Sequence, residues 1–424
     1  KPAYPILYGL VGSEMCIRDR SKEKTLIIGG GQAACQTVTA LKSKGYQGKI
    51  KIHCSENYLP YQRPPLSKKF LLGELDKERL FFKPGKFYDE NDVSICLNSY
   101  VQGIDTKNKE IFLENNEIEH YDNLVIATGT KPRTIDVDKK ISDKVFYLRS
   151  IDDVLRIRDK IKQSKKVTII GGGYIGLEVA AVINNLGLHV TVIEMASRIL
   201  ERVTSEVISS FYSKIHSHAG VEIQTNTSVE GISGNEKGIE VITSNGSVIS
   251  DFVIVGIGVL PCDTIADDAG IEVNNGIIVD EFCRTSNDSV FSAGDCTMHP
   301  NIFYNKNIRL ESVHNAIEQG KTVASSIIGE MTSYDQVPWF WSDQYETKLQ
   351  IVGLLDNYDD IVVRGDSIKE SFAVFYIKNN RIIASDCVNR PAEHMMSRKL
   401  ISEKIIIKKD RLSDESVPIK EVAN

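Results

Sequence analysis

Two kinds of hydrophobic pattern divide the chain. Over most of its length, short unbroken apolar runs stand ahead of stretches whose apolar residues recur at helical spacing. Thr25–Ile28, Leu124–Ile126, Val167–Ile170, Val190–Ile193 and Val290–Ser292 are such runs. An unbroken run suits a strand buried on both faces of a parallel sheet, where an alternating one would leave one face to water. Helical patterns follow two of them, through Ala40 and Leu41 to Lys44 and through Val182 and Ile183 to Leu186. Near the end the pattern changes: Leu349–Val352, Ile361–Val363, Phe372–Ile377 and Ile382–Ser385 read as an antiparallel sheet, with Pro391–Ile401 as its closing helix. The prediction is an α/β chain of parallel-sheet units followed by an α+β domain with an antiparallel sheet.

Glycine turns join strand to helix at two places. Gly29-Gly30-Gly31-Gln32-Ala33-Ala34 reads G-x-G-x-x-A, and Gly171-Gly172-Gly173-Tyr174-Ile175-Gly176 is a complete G-x-G-x-x-G. Both predict a Rossmann-like unit, in which the backbone approaches a pyrophosphate seated on the positive end of the following helix. The strand Val190–Ile193 ends in Glu194, about twenty residues beyond the second turn. A carboxylate there accepts from a ribose 2′-hydroxyl and repels a 2′-phosphate, which favours NAD over NADP; Arg198 and Arg202 are the nearby cations that could soften this. Two other apolar runs end in Ala127-Thr128-Gly129 and Ala293-Gly294-Asp295, and the second places Asp295 at the carboxyl edge of a sheet, where open α/β folds bind ligands.

A length of 424 residues calls for two or three domains, and 42% hydrophobic with 25% charged residues describes a folded chain. The balance of 51 basic against 57 acidic residues gives −6, which offers no footprint for nucleic acid or an anionic membrane. Phe252–Leu260, the longest apolar stretch worth testing, is about half a membrane span and is broken by Gly256 and Gly258, so no transmembrane helix is expected. The eight cysteines show no CxxC pair and no metal-ligand spacing, so neither a disulfide framework nor a metal site is expected, and the usage suits a reducing cytoplasm. Residues 1–21 resemble a translated adapter artefact, with a disordered tail as the alternative, and are set apart from the fold.

The order of first fingerprint, ATG strand, second fingerprint and FSAGD strand resembles the two-dinucleotide-binding flavoprotein reductases related to glutathione reductase. Tyr61-Gln62-Arg63-Pro64-Pro65-Leu66-Ser67-Lys68, Leu310-Glu311-Ser312-Val313-His314-Asn315-Ala316 and Pro338-Trp339-Phe340-Trp341-Ser342-Asp343-Gln344-Tyr345 narrow it: they are similar to strings of the NADH-dependent ferredoxin reductases. The likeness runs from Thr25 to the Asp414-Glu415-Ser416-Val417-Pro418 tail. It implies an FAD-binding domain split between 22–132 and 258–336, an NAD-binding domain at 133–257, and a C-terminal reductase domain at 337–424.

The resemblance also implies site residues. For FAD these are Gly29, Gly31, Ala33, Ser55, Arg63 and Lys68, then Val101, Thr128, Gly129, Arg149, Asp295, Val313 and Trp339. For NADH/NAD they are Gly171, Gly173, Ile175, Gly176, Glu194, Arg202 and Gly258. Lys68 would lie beside the reactive edge of the isoalloxazine, with Glu178 facing the nicotinamide and paired to it. The helix from Ser312–Asn315 to Ile328 would aim its amino end at the flavin pyrimidine, and Asp295 would hold ribityl hydroxyls. His314, where near relatives often carry proline, is weighed as a proton donor against the packing role more common for a lone histidine. Cys54-Ser55 departs from the acid that ends the second strand in the family, leaving Ser55 or Glu56 to substitute. Pro65-Leu66-Ser67-Lys68 occupies the region of the CxxxxC pair of disulfide reductases, so no thiol relay is expected, and Cys35 and Cys54 are read as packing or flavin-edge residues.

The implied activity is transfer from NADH through FAD to a two-iron two-sulfur ferredoxin or a rubredoxin serving an oxygenase. The alternatives are a small-molecule reductase of monodehydroascorbate or quinone type, and a signalling flavoprotein like apoptosis-inducing factor. An acidic ferredoxin would need a local basic face, for which Arg63, Lys69, Arg309 and Arg398 are candidates, with Trp341 at the edge facing the partner. The protein is expected to be a monomer or weak homodimer.

Overall fold

The computed structural model describes residues 22–235 and 238–423, so the segment set apart at the start lies outside the described residues. Lys24–Ile28 is the centre of a five-stranded parallel sheet, between Lys49–His53 and Asn123–Ile126, with Val93–Cys96 and Val290–Ser292 at the edges. Leu26, Ile27, Leu124, Val125 and Ile126 have no exposed surface, which is why these strands read as unbroken apolar runs. The helices Gln32–Ser43 and Val313–Ile327 pack together on this sheet.

The same design recurs in a second parallel sheet, ordered Glu222–Gln224, His189–Ile193, Lys166–Ile170, Phe252–Val255, Val145–Phe146. In both, the first glycine of the turn has a positive φ, +119° at Gly29 and +108° at Gly171. A Cβ on either would strike the carbonyl oxygen of the neighbouring strand's end, Ala127 at 2.2 Å or Gly256 at 2.4 Å.

The third sheet is antiparallel and has five strands, ordered Trp339–Gln344, Thr347–Gly353, Arg381–Val388, Ser371–Lys378, Asp360–Asp366. The Trp339–Gln344 strand adds an edge to the four expected; Tyr345, at φ +54°, turns it into the next strand. Helix Pro391–Ser402 covers one face. The other meets the second sheet's layer, where the Tyr376 hydroxyl donates to Asp386 at 2.5 Å and accepts from the Ser205 amide at 3.1 Å. Burial there pushes the Asp386 carboxyl up to about 7.

Arg364 fastens the end of the chain to this sheet. Its buried guanidinium donates to the carbonyls of Leu412, Asp414 and Val417 at 3.2, 2.6 and 2.8 Å and pairs with Glu393 at 3.3 Å. Arg364→Met leaves the buried Glu393 with only Arg390 and takes one donor from each of three carbonyls, so it is expected to cost about 3–5 kcal/mol of local stability. Hydrogen exchange would read it as lost protection across Asp414–Val417; unchanged protection would show that the tail is held by other contacts. Among the described residues no helix is long and apolar enough to cross a membrane.

Candidate functional site

A cavity of about 680 Å³ opens where the carboxyl edge of the first sheet faces the helix Tyr174–Asn185 and the strand Trp339–Gln344. The first glycine turn supplies one wall, through Gly29, Gly31 and Ala33; Thr128, Gly129 and Asp295 come from the ends of two neighbouring strands. Ser55, Arg63, Lys68, Val101, Arg149 and Val313, also expected for FAD, lie on this wall, and Ile175 and Glu178 reach it from the second unit. Convergence of ligand-wall residues from several loops at one sheet edge is the general habit of open α/β folds.

The deep wall carries the strongest electrostatics. Lys68 Nζ lies 2.7 Å from Glu178 Oε2, and Glu178 is almost wholly buried at 4% exposure. Glu178 also accepts from the hydroxyls of Ser67 at 2.5 Å and Ser342 at 2.7 Å. Nearby, Arg63 donates to Glu56, to the Tyr61 hydroxyl and to the Arg149 carbonyl at 2.6, 2.9 and 2.6 Å, and Tyr61 in turn donates to Glu56 at 2.5 Å. Glu56 is therefore the acid on the wall beyond the Lys49–His53 strand, while Ser55 lines it without a carboxylate. Arg149 lies 3.7 Å from Asp295; burial pushes the Asp295 carboxyl up, against the pull of that guanidinium.

Several expectations change. Trp339 does not line the cavity; Trp341 does, with Phe340. Period-two geometry puts both tryptophans on one face of the strand, so alternation alone cannot say which of them reaches the cavity. Trp339 lies one step further out, its ring 5.9 Å from that of Trp341 and packed against His314, His394 and the Arg398 guanidinium at 5.3, 5.5 and 5.3 Å. His314 is also off the cavity wall and packs against the Trp339 ring, and burial pushes its value down to about 4. Of the four basic docking candidates, Arg63 is spent on the cavity wall. Arg309 is largely buried and pairs with Glu311 at 2.8 Å, which leaves Lys69 and Arg398 exposed.

Of the second glycine turn, Tyr174 and Ile175 line the cavity, whereas Gly171, Gly173 and Gly176 lie off its wall, as do Glu194, Arg202 and Gly258. Glu194 is fixed at that turn: Oε2 accepts from the Gly172 amide at 2.7 Å and Oε1 from the Ala196 amide at 2.8 Å. Arg198 donates to Ser209 at 2.5 Å and to the Glu201 carbonyl at 3.1 Å, and Arg202 is exposed, so neither cation forms a pair with Glu194. All seven described cysteines are free. Cys54 lines the cavity, but burial and nearby Glu56 push its thiol up to about 12, far from a reactive thiolate.

The wall fits a dinucleotide. Gly31 has an ordinary extended backbone, φ −102° and ψ −165°, that any residue adopts, and a Cβ there meets nothing within 4 Å. Neither its own conformation nor its protein neighbours require glycine at that point. It is the N-cap of the helix Gln32–Ser43 and offers no side-chain cap, so the first-turn amides face the cavity uncapped by a side chain, as an anion needs. Gly173 repeats this for Tyr174–Asn185, with no cap and open space where a Cβ would stand. Among the described residues no group of metal-ligating side chains is present.

Fold and site together define a two-dinucleotide oxidoreductase. The model of the pyridine nucleotide-disulphide oxidoreductases matches residues 23–320, and the chain belongs to that family; a reductase C-terminal model matches residues 339–423. The chain is 36% identical over 409 residues to putidaredoxin reductase of Pseudomonas putida, covering 95% of this chain and 97% of that one. It is 37% identical over 368 residues to a rubredoxin-NAD(+) reductase of Pseudomonas putida, covering 86% and 96%. Among solved structures it superposes on the reductase of the covalent putidaredoxin reductase-putidaredoxin complex with a TM-score of 0.91 and 36% identity, covering 94% of this chain and 98% of that one.

Proposed function

We propose that this protein is an NADH-dependent reductase that passes electrons through FAD to a two-iron two-sulfur ferredoxin or a rubredoxin serving an oxygenase. The observation that carries the reading is the Lys68–Glu178 pair: it lies on the wall of a cavity shared by both nucleotide units, where the lining thiol of Cys54 is held far from a reactive thiolate. The matched relatives, named as reductases of such carriers, supply the acceptor class. On this reading residues 22–132 and 258–336 hold FAD, 133–257 hold NADH, and 337–424 cover the site.

FAD supplies the hydride acceptor and the one-electron donor, and NADH the hydride. Each residue then has a definite task. Gly29, Gly31 and the first-turn amides of Gln32–Ser43 would receive the FAD pyrophosphate, Asp295 would hold its ribityl hydroxyls, and Arg149 and Arg63 line the same cavity. Lys68 presents a cation to the deep wall, where it favours the electron-rich form of whatever lies against it, and Glu178 holds that cation in place. Trp341 and Phe340 close the cavity from the third domain, excluding water.

Glu194 selects the nucleotide. With both oxygens already anchored by backbone amides, their remaining lone pairs suit ribose hydroxyls. Glu194→Ala is expected to raise the NADH concentration for half-saturation about tenfold with little change in kcat, because it removes a contact made equally in ground and transition states. A fall in kcat at unchanged half-saturation would show that Glu194 acts elsewhere.

The acceptor reading is tested by salt. Lys69 and Arg398 are the exposed cations left among the docking candidates; for an acidic carrier, carrier reduction is expected to slow as salt rises while bleaching of the flavin absorbance by NADH does not. Equal salt sensitivity of the two steps would count against docking by charge.

A further inference from the structure

The carboxylate of Glu178 is held from three directions, and one of them comes from the third domain. Lys68 and Ser67 both bind Oε2, whereas Oε1 takes the hydroxyl of Ser342 at 2.7 Å. Ser342 has no exposed surface and follows Trp341 directly in the edge strand Trp339–Gln344. Phe340, two residues before Ser342 and so on the same face of the strand, lines the cavity, so the strand that helps to close the cavity also grips Glu178.

The direction of this grip is set from behind. Gln344 Nε2 donates to Ser342 Oγ at 3.2 Å, and His216 Nε2 lies 2.8 Å from Gln344 Oε1. Since the Gln344 oxygen can only accept, His216 carries its proton on Nε2; burial lowers the His216 value and keeps the ring neutral. The Ser342 oxygen is already an acceptor, so its single proton goes to Glu178. His216, Gln344 and Ser342 are wholly buried and form a one-way chain of donors that ends on the carboxylate.

We propose that Ser342 is a positioning residue: it pins Glu178 Oε1 so that Oε2 stays on Lys68, and through it the third domain sets the electrostatics of the deep cavity wall. The geometry separates the two oxygens by task, one toward the site and one toward the third domain. Without the Ser342 proton the carboxylate bears more of its negative charge and is free to turn, which weakens the cation's effect on the wall. The inference rests on the reading of Lys68 and Glu178 as the groups that act on FAD and NADH.

The test compares Ser342→Ala, Ser342→Thr and Glu178→Gln in the FAD-loaded protein, reading the flavin midpoint potential and the single-turnover rate of bleaching by saturating NADH. Ser342→Ala is expected to lower the equilibrium for flavin reduction about three- to tenfold, roughly 15–30 mV more negative, and to slow bleaching by a similar factor. The NADH concentration for half-saturation should not move, and Ser342→Thr, which keeps the hydroxyl, should restore both values. If Glu178→Gln changes potential and rate while Ser342→Ala matches the wild type, the positioning role is overturned. Equal damage from Ser342→Ala and Ser342→Thr would overturn it too, because packing would then explain the loss. If Glu178→Gln itself leaves both readouts unchanged, the underlying reading of the Lys68–Glu178 pair is what fails.

Discussion

Lys68→Met is expected to slow the bleaching of flavin absorbance by NADH about 10²- to 10³-fold while the FAD content of the purified protein stays unchanged. Methionine keeps the length of the side chain and loses the charge, so packing on the wall is conserved. The size of the effect follows from burial. The Lys68 side chain is 17% exposed and that of its partner 5%, so the charge acts where water screens it little. The substitution also leaves Glu178 in that place without its cation. Stopped-flow measurement under anaerobic conditions reads the rate, and a loss of less than about threefold, small beside the decades that one preorganised charge supplies, would remove Lys68 from the deep-wall role.

Gly31→Val is expected to abolish FAD retention and leave the polypeptide folded. The backbone at Gly31 tolerates any residue, and a Cβ there touches nothing, so the protein itself gains or loses little from the change. The branched side chain instead fills the space in front of the first-turn amides of Gln32–Ser43, where the pyrophosphate is placed. The contrast with Gly29→Val is the control. There φ is +119° and the Cβ would strike the Ala127 carbonyl, so that variant should fail to fold. Absorbance of the purified protein and its far-ultraviolet circular dichroism separate the cases. A yellow Gly31→Val protein would show that the cofactor lies elsewhere.

Much of this site is legible in the sequence because its chemistry is local. A glycine turn between strand and helix, or a run ending in Gly294-Asp295, carries its own geometry, and the central parallel strands such as Lys24–Ile28 and Asn123–Ile126 announce themselves by their unbroken apolar runs. What could not be read depends on contacts between distant segments. Ser342 meets Glu178 across 164 residues, and Gln344 meets His216 across 128, with no periodicity to connect them. Trp339 and Trp341 share a face, so only the packing of the third domain decides which one reaches the cavity. Arg63 and Arg309 are docking candidates in sequence; the fold instead turns Arg63 to the Arg149 carbonyl 86 residues away and Arg309 to the Asp295 carbonyl 14 residues away.

The most direct test of the account mixes protein reduced by one equivalent of NADH, without oxygen, with a two-iron two-sulfur ferredoxin, a rubredoxin and a quinone in parallel. The account predicts that one of the two iron proteins is reduced faster than the quinone, with the flavin returning to its oxidised spectrum as two carriers are reduced per NADH. Faster reduction of the quinone than of either iron protein would contradict it.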